Sequence, residues 1–285
     1  MSGLRASLPL QGGQSRVHDH DLRGPSIPSG RPGAGAADYL WCVRHPGRDV
    51  VCPRCADEVG QSAYPGGPRR VCPSPCPVGH PPTWATTPYA AAARVALVAY
   101  KDGDRRDLTS VLAPMLSEAV TAALAADPFL RAALASGNGP VFVVPVPSSS
   151  AAVRRRGDAP LEVLTRAAVA RAARPQRELV VSAALTLRRR VADQAGLDRG
   201  QRAINLERAM QVRPGWRAAI GGVTCLLVDD VLTTGATLTE AARALRAGGA
   251  AHIAAATVAA TQRHSGPIAG RADCGELPTK RAGGT

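Results

Sequence analysis

The chain has 285 residues, with 35 Lys and Arg against 22 Asp and Glu and a formal net charge of +13. That length holds one ordinary domain with appendages or two small ones, and the charge favours polyanionic partners, nucleotides or nucleic acid. No stretch approaches about 18 consecutive apolar residues and no apolar segment follows the first charges, so neither membrane insertion nor a secretory signal is expected, and the cytoplasm is the expected compartment.

Residues 1–37 are rich in Gly, Pro, Ser and Arg without periodicity and read as a disordered extension. Residues 38–84 hold five of the seven cysteines, several prolines and few aliphatics. In a reducing compartment such clustering favours metal over disulfides. Cys42-x-x-His45 and Cys52-x-x-Cys55 make two knuckles, and four N/S ligands suit tetrahedral Zn2+. Cys72-x-x-x-Cys76 is a further partner pair, with His80 just beyond. The ligand set stays open among Cys42, His45, Cys52, Cys55, Cys72 and Cys76. A segment this poor in apolar residues needs a metal to fold, so the zinc is expected to be structural. Scattered structural cysteines or a redox pair are the competing account.

From Tyr89 the texture changes. Residues 91–100 and 107–124 show helical spacing, and Lys101 follows the first of these in a Lys-Asp-Gly turn. Residues 141–146 read as a buried strand leading to Pro147 and Ser148. Arg154, Arg155 and Arg156 form a basic segment before a helix at 161–173. A short strand is expected at 180–184, then a second basic stretch, Arg188 to Arg202, without aromatics to stack bases. A strand at 223–228, a helix at 237–247 and a strand at 253–258 complete the pattern. Alternating strands and helices predict an α/β fold with a parallel sheet in a domain spanning 85–262. Residues 263–285 read as a disordered tail.

The most informative stretch is Cys225 to Leu238, CLLVDDVLTTGATL. A short apolar strand stops at Asp229 and Asp230, and Val231 and Leu232 lead into Thr233, Thr234, Gly235, Ala236 and Thr237 before the helix. Loop and helix-end N–H groups suit a phosphate, and the threonine hydroxyls add donors. Gly235 permits close approach or a positive φ. The two carboxylates suit ribose hydroxyls and the surroundings of a Mg2+ ion. An ordinary strand-to-helix turn with an N-capping threonine is the alternative.

This stretch resembles the 5-phosphoribosyl-1-pyrophosphate (PRPP) motif of type I phosphoribosyltransferases. The resemblance implies that Asp229 and Asp230 contact the ribose hydroxyls, that Thr233 to Thr237 hold the 5′-phosphate, and that Val231 and Leu232 between them also belong to the PRPP site. Together with the N-terminal cysteines, the chain resembles the ComF-type competence proteins over roughly residues 40–260. Tyr100-Lys101-Asp102-Gly103 is similar to that family's Y-K-x-x-G step, with one residue fewer between Lys and Gly, and Val144 to Pro147 with Arg156-Gly157 to its VPVP...RG segment. Leu187, Arg189, Gln194, Leu197, Arg202 and Asn205 follow a further stretch. The family usually continues after Arg-Gly with an aromatic, an asparagine and a glutamine, where this chain has Asp158, Ala159 and Pro160. It also commonly has a cysteine where His45 stands.

The resemblance implies a type I phosphoribosyltransferase-like parallel sheet flanked by helices, with a small N-terminal zinc ribbon. It implies PRPP held with Mg2+, Asp229, Asp230 and Lys101 at the reacting centre, and Pro147, Ser148 and Arg156 on the pyrophosphate side. Two functions stay open. One is phosphoribosyl transfer to an acceptor that the residues do not specify. The other is a catalytically inactive PRPP-fold protein that binds single-stranded DNA in DNA uptake. A second copy of the chain is a further partner left open.

Overall fold

The structure is a computed structural model that describes residues 41–44, 50–137, 139–148, 153, 157–172, 179–188 and 208–262. These fall within one unit, 39–285. The expected extension 1–37 and tail 263–285 lie outside the described residues, as do His45 and Arg154 to Arg156.

Two short helices come first, α1 (Trp41–Arg44) and α2 (Pro53–Gly60), then strands β1 (Arg69–Val71) and β2 (Thr83–Pro88). Helices α3 (Ala91–Asp102), α4 (Thr109–Ala126) and α5 (Pro128–Ser136) precede β3 (Val141–Pro145), α6 (Pro160–Arg171) and β4 (Leu179–Val181). A hairpin of β5 (Leu185–Leu187) and β6 (Met210–Val212) follows, then α7 (Arg217–Ile220), β7 (Thr224–Leu232), α8 (Ala236–Ala247) and β8 (His252–Ala260). The main sheet runs β1-β2-β8-β7-β3-β4. Only the β1–β2 pair is antiparallel; the four other pairings are parallel. Helices cover both faces, which makes this the α/β, type I phosphoribosyltransferase-like sheet expected from the sequence.

Period-two alternation decides which side chain meets which layer. Val141, Val143, Leu226, Val228, Ala254 and Ala256 face one core with α3, α4 and α6. Phe142, Val144, Cys225, Leu227, Ile253 and Ala255 face the other, against α8 and the hairpin. Both faces are buried, which is why these strands are almost continuously apolar. Small alanines on β8 and α8 let sheet and helix approach closely.

Several elements depart from the sequence reading. The expected division at 84/85 falls inside β2, and β1 pairs beside it, so this segment adds two strands to the main sheet. The 223–228 strand continues through both acids to Leu232, because β8 pairs with it as far as Ala260. The expected strand at 180–184 divides into β4 and β5. Helix α5 was not foreseen, although Asp127 caps it by accepting from Phe129 N and Leu130 N, each at 3.0 Å, with Pro128 next in line. Against the expectation of no such span, residues 106–126 are long and apolar enough to cross a membrane by length and composition alone. In the fold this segment is a core helix: Leu112, Leu116, Val120 and Ala123 of α4 are fully buried.

Candidate functional site

β3 marks the point where the sheet changes direction, with β4 on one side and the later strands β7 and β8 on the other. Crevices at such points, outside the carboxyl ends of the strands, are where open α/β sheets take ligands. Here β3 and β7 stay paired to the rim, since Val146 N donates to Val228 O at 2.9 Å. Pro147 and Ser148 leave β3 half-buried at that rim. Asp229 and Asp230 follow Val228 within β7, just past the last residue paired with β3.

Asp229 is still in register with Thr257 of β8. Its Oδ1 accepts from Asp230 N at 2.9 Å, and Asp230 Oδ1 accepts from Val231 N at 2.8 Å. Lys101, from the last turn of α3, brings Nζ to 3.2 Å from Asp230 Oδ2. Burial, and then the neighbouring Asp230 charge, raise the Asp229 carboxyl well above its usual range against the pull of Lys101. The Asp230 charge in turn raises Lys101. Two carboxylates and one ammonium therefore converge from elements far apart in sequence.

The loop beyond the acids turns through Thr233, Thr234 and Gly235 into α8. Gly235 has φ 77°, a left-handed conformation at the helix N-cap. A Cβ there would also lie 2.7 Å from Pro73 Cγ and 3.0 Å from His80 Cε1. Thr234 Oγ1 accepts from Ala236 N at 3.4 Å. The first-turn N–H groups of any α-helix lack intrahelical acceptors, and here they open beside the acids with the half-buried Thr237. The expected helix start at 237 moves to Ala236.

Arg156 lies outside the described residues, but Gly157 and Asp158, just after it, do not. Arg106 donates from Nε to Asp158 Oδ2 at 2.6 Å and from Nη2 to Oδ1 at 2.9 Å, and its Nη1 donates to Tyr100 O. Tyr100 donates its hydroxyl to Pro160 O at 2.9 Å. Asp158 and Pro160 thus staple this segment to the end of α3 that carries Lys101. Sequence reasoning missed Arg106 and Asp158 because their pairing spans 52 residues.

Of the six candidate zinc ligands, Cys42, Cys52 and Cys55 bring their sulfurs within 4.8 Å of one another. Cys42 and Cys55 are buried. Cys72 and Cys76 are not in that cluster, and His45 lies outside the described residues. The donor chemistry fits a soft divalent cation. Burial and the neighbouring Cys42 thiol push Cys55 up to about 12. Elsewhere, buried Cys225 is pushed up to about 12. His252 Nε2 pairs with Asp127 at the opposite edge of the sheet, 3.0 Å from Oδ1, and stacks on Phe129 with ring centroids 4.3 Å apart.

Residues 163–279 match the family model of the phosphoribosyl transferase domain. The match takes in β7, the acids, the loop, α8 and β8, whereas Lys101, Pro147 and Ser148 precede it. No curated protein matches the chain.

Proposed function

We propose that the protein binds PRPP with Mg2+ at the carboxyl ends of β3 and β7 and transfers the phosphoribosyl group to a nucleophilic acceptor, as a ComF-type protein of the cytoplasm. The observation that carries this reading is the juxtaposition of Asp229, Asp230 and Lys101 beside a glycine-hinged helix N-terminus. In it, Asp229 and Asp230 accept hydrogen bonds from the ribose 2′ and 3′ hydroxyls and orient C1. Thr233 to Thr237 hold the 5′-phosphate. Lys101, Pro147 and Ser148 bind the pyrophosphate. The acceptor forms its bond to C1 as the C1–oxygen bond to pyrophosphate breaks. Lys101 offsets the charge that develops on the leaving oxygen, and the crevice fixes sugar and leaving group in one geometry. When bound, Mg2+ supplies further neutralisation of that charge, and the two acids are the residues to hold it. Zinc is the structural ion of this reading, with Cys42, Cys52 and Cys55 among its ligands. Pyrophosphate release from labelled PRPP, with cell extract as acceptor source, tests transfer: release that requires Mg2+ and Asp230 supports it, and none above a heat-treated control refutes it.

A second reading, single-stranded DNA binding in DNA uptake, is favoured by a cavity of about 220 Å3 lined by Arg188, Arg217 and Arg243. Phosphate-backbone binding through such residues would weaken with salt by ~0.7 log units per log unit of salt for each contact. A filter-binding salt titration of wild type and Arg188→Ala/Arg217→Ala tests it. Identical slopes remove these arginines from any DNA contact.

A further inference from the structure

His80 stands outside the acids and the loop, yet it touches the loop from behind. It is 3% exposed. Its Nδ1 lies 3.2 Å from Thr239 Oγ1 in the first turn of α8, and its Nε2 lies 3.2 Å from Thr83 Oγ1 at the start of β2. The Thr83 hydroxyl donates to Pro81 O at 2.9 Å, so towards His80 its oxygen accepts. Nε2 therefore carries the proton, and the bare Nδ1 accepts from the Thr239 hydroxyl. The Gly235 backbone also hydrogen-bonds to the ring. Burial pushes the imidazole down to about 4, so the ring is neutral in neutral solution.

Position makes the bridge matter. With φ 77° and space closed at 3.0 Å by His80 and 2.7 Å by Pro73, Gly235 is walled on its Cβ side by an imidazole and a prolyl ring. The same segment is fastened near the far end of α8, where Arg246 Nη1 donates to Gly79 O at 2.9 Å. Residues 73–80 thus brace the helix at both ends. A loop that presents N–H groups to a phosphate binds best when already ordered, because ordering it on binding opposes association.

We propose that His80 is a positioning residue for the phosphate loop, joining Thr83 on β2 to Thr239 on α8 so that residues 233–237 are held in the conformation that receives a 5′-phosphate. This rests on the reading of that loop as a 5′-phosphate site. The test is calorimetric titration of wild type, His80→Ala, His80→Asn, Thr239→Val and the His80→Ala/Thr239→Val double variant. The titrants are Mg2+-PRPP, ribose 5-phosphate and magnesium pyrophosphate, and circular dichroism reports the fold of each variant. His80→Asn puts an amide oxygen near the place of Nδ1. His80→Ala and Thr239→Val are each expected to weaken both phosphoribosyl ligands about tenfold. The double variant should be no worse than either single one, as expected for residues acting as one unit, and His80→Asn should recover most of the loss. Magnesium pyrophosphate, which lacks the 5′-phosphate, should bind all variants alike. Unchanged PRPP affinity in folded His80→Ala and Thr239→Val overturns the proposal, as does an equal loss for all three ligands. Should His80→Ala not fold, the nearly isosteric Thr239→Val decides alone. A wild type that binds pyrophosphate but neither phosphoribosyl ligand refutes the loop reading itself, and the positioning role falls with it.

Discussion

Asp229 carries opposing demands. Burial and the adjacent Asp230 disfavour its charge, whereas ribose recognition in the proposed site requires a carboxylate. Its pKa is raised in the folded state, so the folded protein holds this proton more tightly than the unfolded chain, and stability falls as pH rises through the raised value. Asp229→Asn is accordingly expected to raise the Tm of the ligand-free protein, more at pH 8 than at pH 5, while weakening PRPP binding. Thermal melts at the two pH values check the sign. Lys101 shows the complementary behaviour, since the Asp230 charge raises it. The acids and the threonine-glycine loop were legible in the sequence because the motif is local. Lys101 pointed to the site only by resemblance, since its 3.2 Å contact with Asp230 crosses most of the domain. His80 was noticed only as a neighbour of cysteines, because its partner Thr239 is 159 residues away.

Among the elements, α8 is the one whose placement the proposed site depends on, and His80 ties it to β2. The imidazole falls from an unfolded value near 6.5 to about 4, so its burial contributes stability that is fully present above pH 6.5 and is lost as pH falls through 4. The loss by pH 4.5 is about 2–3 kcal/mol. Urea midpoints of wild type and His80→Asn at pH 7.5 and 4.5 measure it as the difference between the two pH dependences, because ordinary carboxylates contribute to both. Helix α5 offers an independent check. Asp127 is 3% exposed and accepts from two helix N–H groups, besides pairing with His252. Asp127→Ala should cost about 1–2 kcal/mol from the cap alone, read as a lower urea midpoint. The strand-helix-strand unit from β7 to β8 was legible because two short apolar runs flank a segment of helical spacing. β2 was not, because cysteines and prolines around it pointed to a ribbon, and only its parallel pairing with β8 reveals a sheet strand. The extension of β7 through two aspartates was equally hidden: aspartate disfavours strands, and the partner that overrides this preference comes 28 residues later.

At the scale of the whole molecule, the segment around α1 and α2 joins the domain through packing as well as through its cysteines. Cys55 and Val59 of α2 are buried in the same core as α3 and α4. Metal removal should therefore be felt beyond the cysteines. About one zinc per chain is expected by elemental analysis, with a chelator lowering Tm by about 5–10 °C, equivalent to about 2–3 kcal/mol in a domain of this size. A preparation with well under half an equivalent of zinc and no chelator effect contradicts the structural-metal assignment. The basic character of the chain was plain from composition, but the cavity lined by Arg188, Arg217 and Arg243 required the fold. The central claim is that the strand-end acids and the glycine-hinged loop form one PRPP site, and calorimetric titration of Mg2+-PRPP into wild type and Asp229→Ala/Asp230→Ala tests it most directly. The account predicts one site per chain in the wild type, weakened by about 2–4 kcal/mol in the variant, the scale of losing charged hydrogen bonds. Absence of binding in folded wild type, or equal affinity in the folded double variant, contradicts it.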